Sequence, residues 1–434
     1  MNRCYLSVRL LNVYSHYYHH HHSRSLTTSS RLYFIRTLFD HTKEIVKTGK
    51  KYKEKKVDLV KLSEQQYEQL TPILKLQTAF RSVNFILGLM GIFGIISYFY
   101  IRQKKAKVEK EIETEFKPIW LNLKNFKEKA AYIYDYLFPE QIISKFKELT
   151  RFQFDKNDII CSAFPKSGIT LIQEIVYLIQ SDFNYEQAKQ KDISDRFSFL
   201  EWPSVSLKEL NNEREKYPEK IRLMKTHLPP IVFNDTFKKA KIIYIYRNPK
   251  DVCVSLYHFL KSINVDIGYT GKFYEFHESF LIDELYYAPW WRHVNDYYSL
   301  KESIFIVSYE ELLKNFQPTI RRLAAYLGKS ITTEQLDKLE QWCSFESMKT
   351  NSKVNYDWFK DYGFVKKDFS FMRKGQIGDW LNYFDINTSK KFDEMVRKKV
   401  NNEIQFDYGI TSAEQDKMYD IYNKKVQQRE QVVT

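Results

Sequence analysis

Only four cysteines, Cys4, Cys161, Cys253 and Cys343, are spread over the 434 residues, with no C-x-x-C pair among them. That spacing points to neither a zinc site nor a disulfide framework, and Cys161 and Cys253, set in apolar stretches, read as small core residues. The triphosphatase loop G-x-x-x-x-G-K-[ST] is absent, so a generic ATPase or kinase fits poorly. The net charge of +14 suggests anionic partners, but no nucleic-acid motif accompanies it, and nucleic acid is not expected as a partner. No acidic residue precedes Asp40, and no charge occurs from Val83 to Ile101. What is present is ample for a folded core: 43% hydrophobic residues, with 32 Tyr and 32 Phe.

The charge-free run is nineteen residues long, flanked by Arg81 and by Arg102, Lys104, Lys105 and Lys107. At about 1.5 Å per residue it spans a hydrocarbon layer, so residues 82–101 are expected to form one transmembrane helix in contact with a lipid bilayer. Residues 1–40, basic and rich in Ser and Thr, match a mitochondrial targeting segment in composition. A low-complexity tail carrying the His19–His22 tract matches equally. Residues 41–81 form a lysine-rich helical or disordered segment, and the basic flank at 102–121 favours a cytosol-facing domain. A mitochondrial and a cytosol-facing endomembrane location both stay open. Residues 102–135 are expected as a charged helical linker, 136–412 as the catalytic domain and 413–434 as a polar tail.

From there on, apolar strand-like runs alternate with amphipathic helices, a pattern that implies an α/β fold with a central parallel sheet flanked by helices. The first unit runs from Ile159 to Phe164 and turns through Pro165-Lys166-Ser167-Gly168-Ile169-Thr170. A helix with apolar Ile172, Ile175, Val176 and Ile179 follows. Glycine in such a strand-loop-helix turn lets backbone N–H groups face an anion, the helix N-terminus adds partial positive charge, and Lys166 adds a full one. A second strand from Ile221 delivers Lys225-Thr226-His227, a cation and a base at one strand end. The third, Lys241–Tyr246, ends in Arg247-Asn248-Pro249-Lys250-Asp251 and enters a helix carrying Ser255. Arg247, planar and always charged, suits a phosphate. Phe371-Met372-Arg373-Lys374-Gly375 places two cations before a glycine, with Trp380 close behind.

In this order these blocks resemble the cytosolic-type sulfotransferase family, over about residues 140–410. The match rests on Phe164-Pro165-Lys166-Ser167-Gly168, Lys225-Thr226-His227-Leu228-Pro229, Arg247-Asn248-Pro249-Lys250-Asp251-Val252 with Ser255, and Phe371-Met372-Arg373-Lys374-Gly375 with Gly378-Asp379-Trp380. The resemblance implies transfer of a sulfuryl group from 3′-phosphoadenosine 5′-phosphosulfate (PAPS) to a hydroxyl or amine, without a metal. Lys166, Ser167, Gly168 and Thr170 would hold the 5′-phosphosulfate. Arg247, Ser255, Arg373, Lys374 and Gly375, with Phe371 and Met372 in the same loop, would hold the 3′-phosphate end, and Tyr309 and Phe345 the adenosine. His227 would be the general base, and Lys225 and Lys166 would stabilise charge on the transferring group.

The chain departs from the family at three places. Ile169 and Leu171 stand where the family has a threonine and a tryptophan, with Leu171 expected to pack on the adenine. The family's dimerisation motif is replaced around Leu381, Asp385-Ile386 and Lys390, so a family-type homodimer is not expected. The N-terminal anchor is foreign to the soluble family. Phe197 and Phe259, among the aromatics Phe199, Trp202, Trp290 and Trp291, are expected to wall a pocket for a small lipophilic acceptor. The alternative is a catalytically weak or inactive subunit of a membrane complex, motivated by Ile169, Leu171 and the anchor.

Overall fold

The computed structural model describes residues 113–411 continuously, together with 100, 102, 103, 111, 413–417, 419 and 420. The expected targeting and lysine-rich segments, Cys4 and, apart from Tyr100, the expected membrane span lie outside these residues. Among the described residues no helix is long and apolar enough to cross a membrane.

A small antiparallel sheet comes first: β1 (Ile119–Leu121), β2 (Ala130–Ile133) and β3 (Tyr136–Pro139), in the order β1-β2-β3. This corrects the expectation of a helical linker to residue 135. Only 113–116 of that stretch are seen as a continuous helical run, because the apolar Ala130, Ala131 and Ile133 find partners on β3 and become core.

The main sheet is parallel throughout, ordered β5-β6-β4-β7-β8, with β4 Asp158–Ser162, β5 Ser198–Phe199, β6 Arg222–Thr226, β7 Lys241–Tyr246 and β8 Phe305–Ser308. Its register brings the carboxyl ends into one line, pairing Ser162 with Thr226 and Tyr244, Phe199 with Lys225, and Tyr246 with Ser308. Ligands of open parallel sheets bind beyond those ends, and the residues that follow them here are Ala163, His227, Arg247 and Tyr309.

Helix Ile169–Gln180 is buried from Ile169 to Ile179, beyond the one apolar face that its spacing suggested. Its polar Glu174 is satisfied internally by Trp342 (2.8 Å) and by a fully buried ion pair with Arg196 (2.7 Å). Helix Pro249–Ser262 starts as expected, with Pro249 at its first position and the Asn248 side chain accepting the Asp251 N–H at 2.9 Å. Cys161, Cys253 and Cys343 are free and buried.

Candidate active site

The loop after β4 bends on two residues of positive φ, Lys166 (+70°) and Gly168 (+101°). Glycine is required at 168 twice over, by the backbone angle and because a Cβ there would lie 2.4 Å from the Tyr309 ring. Ser167 is fully buried and its Oγ has no partner. The Lys166 ammonium lies between two aromatic faces, 3.9 Å from the Phe371 centroid and 4.5 Å from that of Phe259. Burial, and then the charges of Lys225, Arg247 and Arg373, bring its pKa down to about 7.

His227 stands one residue past β6. Its Nδ1 is 2.7 Å from the Ala163 carbonyl oxygen, which can only accept, so Nδ1 carries the proton and Nε2 keeps its lone pair. Burial, then the neighbouring Lys225 charge, holds its pKa well below the usual imidazole value and keeps the ring neutral. Glu201, buried, accepts the His227 backbone N–H at 2.5 Å. Lys225 lies 4.5 Å from the Phe199 ring, its register partner on β5.

The second anion pole is built differently. Arg247 donates to the Gln376 carbonyl (2.6 Å), lies 3.4 Å from Asp251 and stacks 4.4 Å over Tyr309. Asp251, almost fully buried, accepts the N–H groups of Gly378 (2.9 Å) and Trp380 (3.0 Å) and so ties the Arg373-Lys374 loop to the helix of Ser255. Arg373 and Lys374 both bond Asp379, Lys374 at 2.5 Å. Burial raises the Asp379 carboxyl, but bonds from Lys374, Arg373 and Asn382 together carry it below the ordinary range. Gly375 (φ +63°) is packed on by Phe345, whose ring would lie 2.1 Å from an added Cβ. The Nε atoms of Arg247 and Arg373 are buried and unpartnered. With Ser167 Oγ they leave donors that a bis-phosphorylated nucleotide would satisfy.

The expected site residues therefore gather at one sheet end, with two adjustments. Phe197 is buried in the core cluster with Ile193 and Tyr177, and Phe199, two residues on and one layer nearer the strand ends, is the ring that meets His227 (5.5 Å). Ile169 and Leu171 are also residues of that core cluster, Leu171 at its more exposed side (9% against 4%). Thr170 is buried on the same helix turn, Met372 packs on the cluster edge, and Ser255 is half-buried. Trp290 is core beside Phe280 and Phe406, and Trp291 donates to Asp283 (3.0 Å), so neither ring is seen against His227. Sequence reasoning missed Glu201, Asp379 as a binding partner, and Tyr287, whose ring is 5.9 Å from His227. Only the alternation after Phe197 held a signal for any of them.

A sulfotransferase-domain family model matches residues 156–403. The chain belongs to the sulfotransferase family. Mouse Sulfotransferase 1B1 is 35% identical over 274 residues, 62% of this chain and 91% of the mouse protein. Human Sulfotransferase 1E1 is 32% identical over 276 residues, 62% and 92% of the two chains. Among solved structures, retinol dehydratase with retinol and PAP shares the fold at a TM-score of 0.59 and 22% identity, over 69% of this chain and 96% of that one. Mouse sulfotransferase SULT7A1 complexed with PAP aligns at 0.50 and 26%, over 63% and 95%. The protein is a PAPS-dependent sulfotransferase. Among the described residues of this sulfotransferase no His, Cys, Asp and Glu group is arranged to hold a metal.

Proposed function

We propose that this enzyme transfers a sulfuryl group from PAPS to the hydroxyl or amine of a small lipophilic acceptor, with His227 as general base. The observation that carries the reading is the Nδ1 bond of His227 to Ala163, which leaves Nε2 basic at the strand end shared with Lys225 and the Lys166 loop. Bound PAPS supplies an activated sulfuryl group and a phosphate leaving group. Ser167, Thr170 and the N–H groups behind Gly168 hold its 5′ end. Arg247, Ser255, Arg373, Lys374 and Gly375 hold the 3′-phosphate, and Tyr309 and Phe345 flank the adenosine. That SULT7A1 and retinol dehydratase bind PAP supports the cofactor class.

His227 takes the acceptor proton on Nε2, and Lys166 and Lys225 stabilise negative charge where it builds. Phe199, Phe259 and Tyr287 exclude water and orient an apolar acceptor. The run 83–101 anchors the enzyme to a membrane with its catalytic domain on the cytosolic face, a reading that alkaline extraction and protease protection of the full chain would test. For the chemistry, calorimetric titration with 3′,5′-adenosine bisphosphate (PAP) should show saturable binding that is lost in Arg373→Ala. Absence of binding by folded protein would return the chain to the role of an inactive subunit.

A further inference from the structure

His293 is fully buried on helix Trp290–Tyr298, 66 residues from His227, and no block of the sequence marks it. Its Nε2 lies 3.0 Å from the backbone carbonyl of His227. A carbonyl only accepts, so Nε2 carries the proton and Nδ1, 2.9 Å from the Tyr244 hydroxyl, must accept from it. One turn along the helix, Tyr297 donates to the next carbonyl, that of Leu228, at 2.8 Å, and its ring stacks on Tyr244 at 4.1 Å. An i, i+4 pair on one helix face thus bonds two successive carbonyls at the point where the chain leaves β6.

The opposite edge of the same segment is also held. Glu201 takes the His227 N–H (2.5 Å), and Thr226 Oγ1 takes the Leu228 N–H (3.0 Å). The imidazole of His227 reaches Ala163 only while its Cα–Cβ bond points correctly, and that direction is set by the peptide groups on either side.

We propose that His293, oriented by Tyr244, is a positioning residue for the catalytic base: it grips the His227 carbonyl and thereby aims Nε2 of His227 at the acceptor. His293 is not itself a second base. It is fully buried, and burial pushes its pKa down to about 3, so it stays neutral. The inference rests on the reading of His227 as general base, and the test separates the two.

In the full chain, turnover of PAPS with a simple phenol and calorimetric PAP binding are measured for His293→Phe, His293→Gln, Tyr244→Phe and His227→Ala. A misplaced base costs rate and spares cofactor binding. The expected result for His293→Phe is a kcat lower by roughly tenfold to a hundredfold with PAP affinity unchanged. His293→Gln keeps a donor and recovers part of that loss. Tyr244→Phe, which keeps the stacked ring, gives a smaller loss in kcat and a shifted imidazole nitrogen signal of His227 in the PAP complex, a readout that also serves if His293→Phe does not fold. Unchanged kcat in His293→Phe, or parallel losses of kcat and PAP binding in every variant at 293 and 244, overturns the proposal. Full turnover by His227→Ala overturns instead the assignment of the base.

Discussion

The two ends of the site handle positive charge in opposite ways. At the end proposed for the 3′-phosphate each cation has a carboxylate: Arg247 faces Asp251, and Arg373 and Lys374 share Asp379. At the end proposed for the transfer Lys166 and Lys225 lie against aromatic rings, and among the described residues neither is in an ion pair. A phosphate that only has to be held is served by cations already fixed in position, whose reorganisation cost was met on folding. On the proposed reading, charge that develops during transfer would be served by cations that no carboxylate pairs with directly, so that their field falls on the reacting group in a site of low dielectric. The cost of the second arrangement is visible in the depressed pKa of Lys166.

The most severe way to break this contrast is at the base. His227→Ala should lower kcat by roughly 10²–10⁴-fold while leaving PAP affinity intact, since general-base catalysis carries that much and the ring holds no phosphate. Comparable losses in both quantities would merge the two ends into one.

Arg373→Ala should act in the opposite sense. It removes charge-assisted bonds worth about 1.5–3 kcal/mol, so PAP affinity falls by roughly tenfold to 150-fold in calorimetry. With saturating PAPS, kcat should change little.

A pH experiment sharpens the comparison. With a pKa near 7, Lys166 is charged below neutrality, so PAP affinity should be flat there and weaken as pH rises above about 7. Binding at pH 7.5 should take up a fraction of a proton, seen as a dependence of the heat on buffer ionisation enthalpy, and Lys166→Met should abolish it. In the ligand-free enzyme the folded pKa lies below the unfolded value of 10.5, so Lys166 destabilises most at low pH and that penalty fades between pH 7 and 10.5. Lys166→Met should accordingly raise the melting temperature more at pH 6 than at pH 10. No proton uptake by the wild type would show Lys166 to be fully charged beforehand.

The smallest effect is expected at Ile169. Restoring a hydroxyl with Ile169→Thr should tighten PAP binding by about 0.5–1.5 kcal/mol if it reaches phosphate, and lower stability because the side chain is 4% exposed in the core. A stability loss alone would show that helix Ile169–Gln180 has turned this position away from the cradle.

The strand-loop-helix at Phe164–Gly168, the strand Lys241–Tyr246 and the capped helix at Pro249 were legible because each is written in consecutive residues: an apolar run, a glycine at positive φ, a proline at the first helical turn. Phe197 and Phe199 were indistinguishable in the sequence as pocket aromatics, and only the pairing of Phe199 with Lys225 shows which ring reaches the strand ends. Helix Ile169–Gln180 misled because periodicity reports one buried face and cannot see the second covering layer.

By itself the amino-acid sequence determined the class of sheet, the four blocks that converge on its carboxyl edge and the cofactor chemistry they serve, since these depend on local periodicity and on residue types that have few other uses together. Tertiary structure alone decided the protonation site of His227, the pairing of Arg373 and Lys374 with Asp379, and the bond of His293 to the His227 carbonyl. A tautomer is set by whichever carbonyl lies beneath the ring, and that carbonyl, Ala163, is 64 residues away, just past the end of the neighbouring strand β4, whose register only the folded sheet defines.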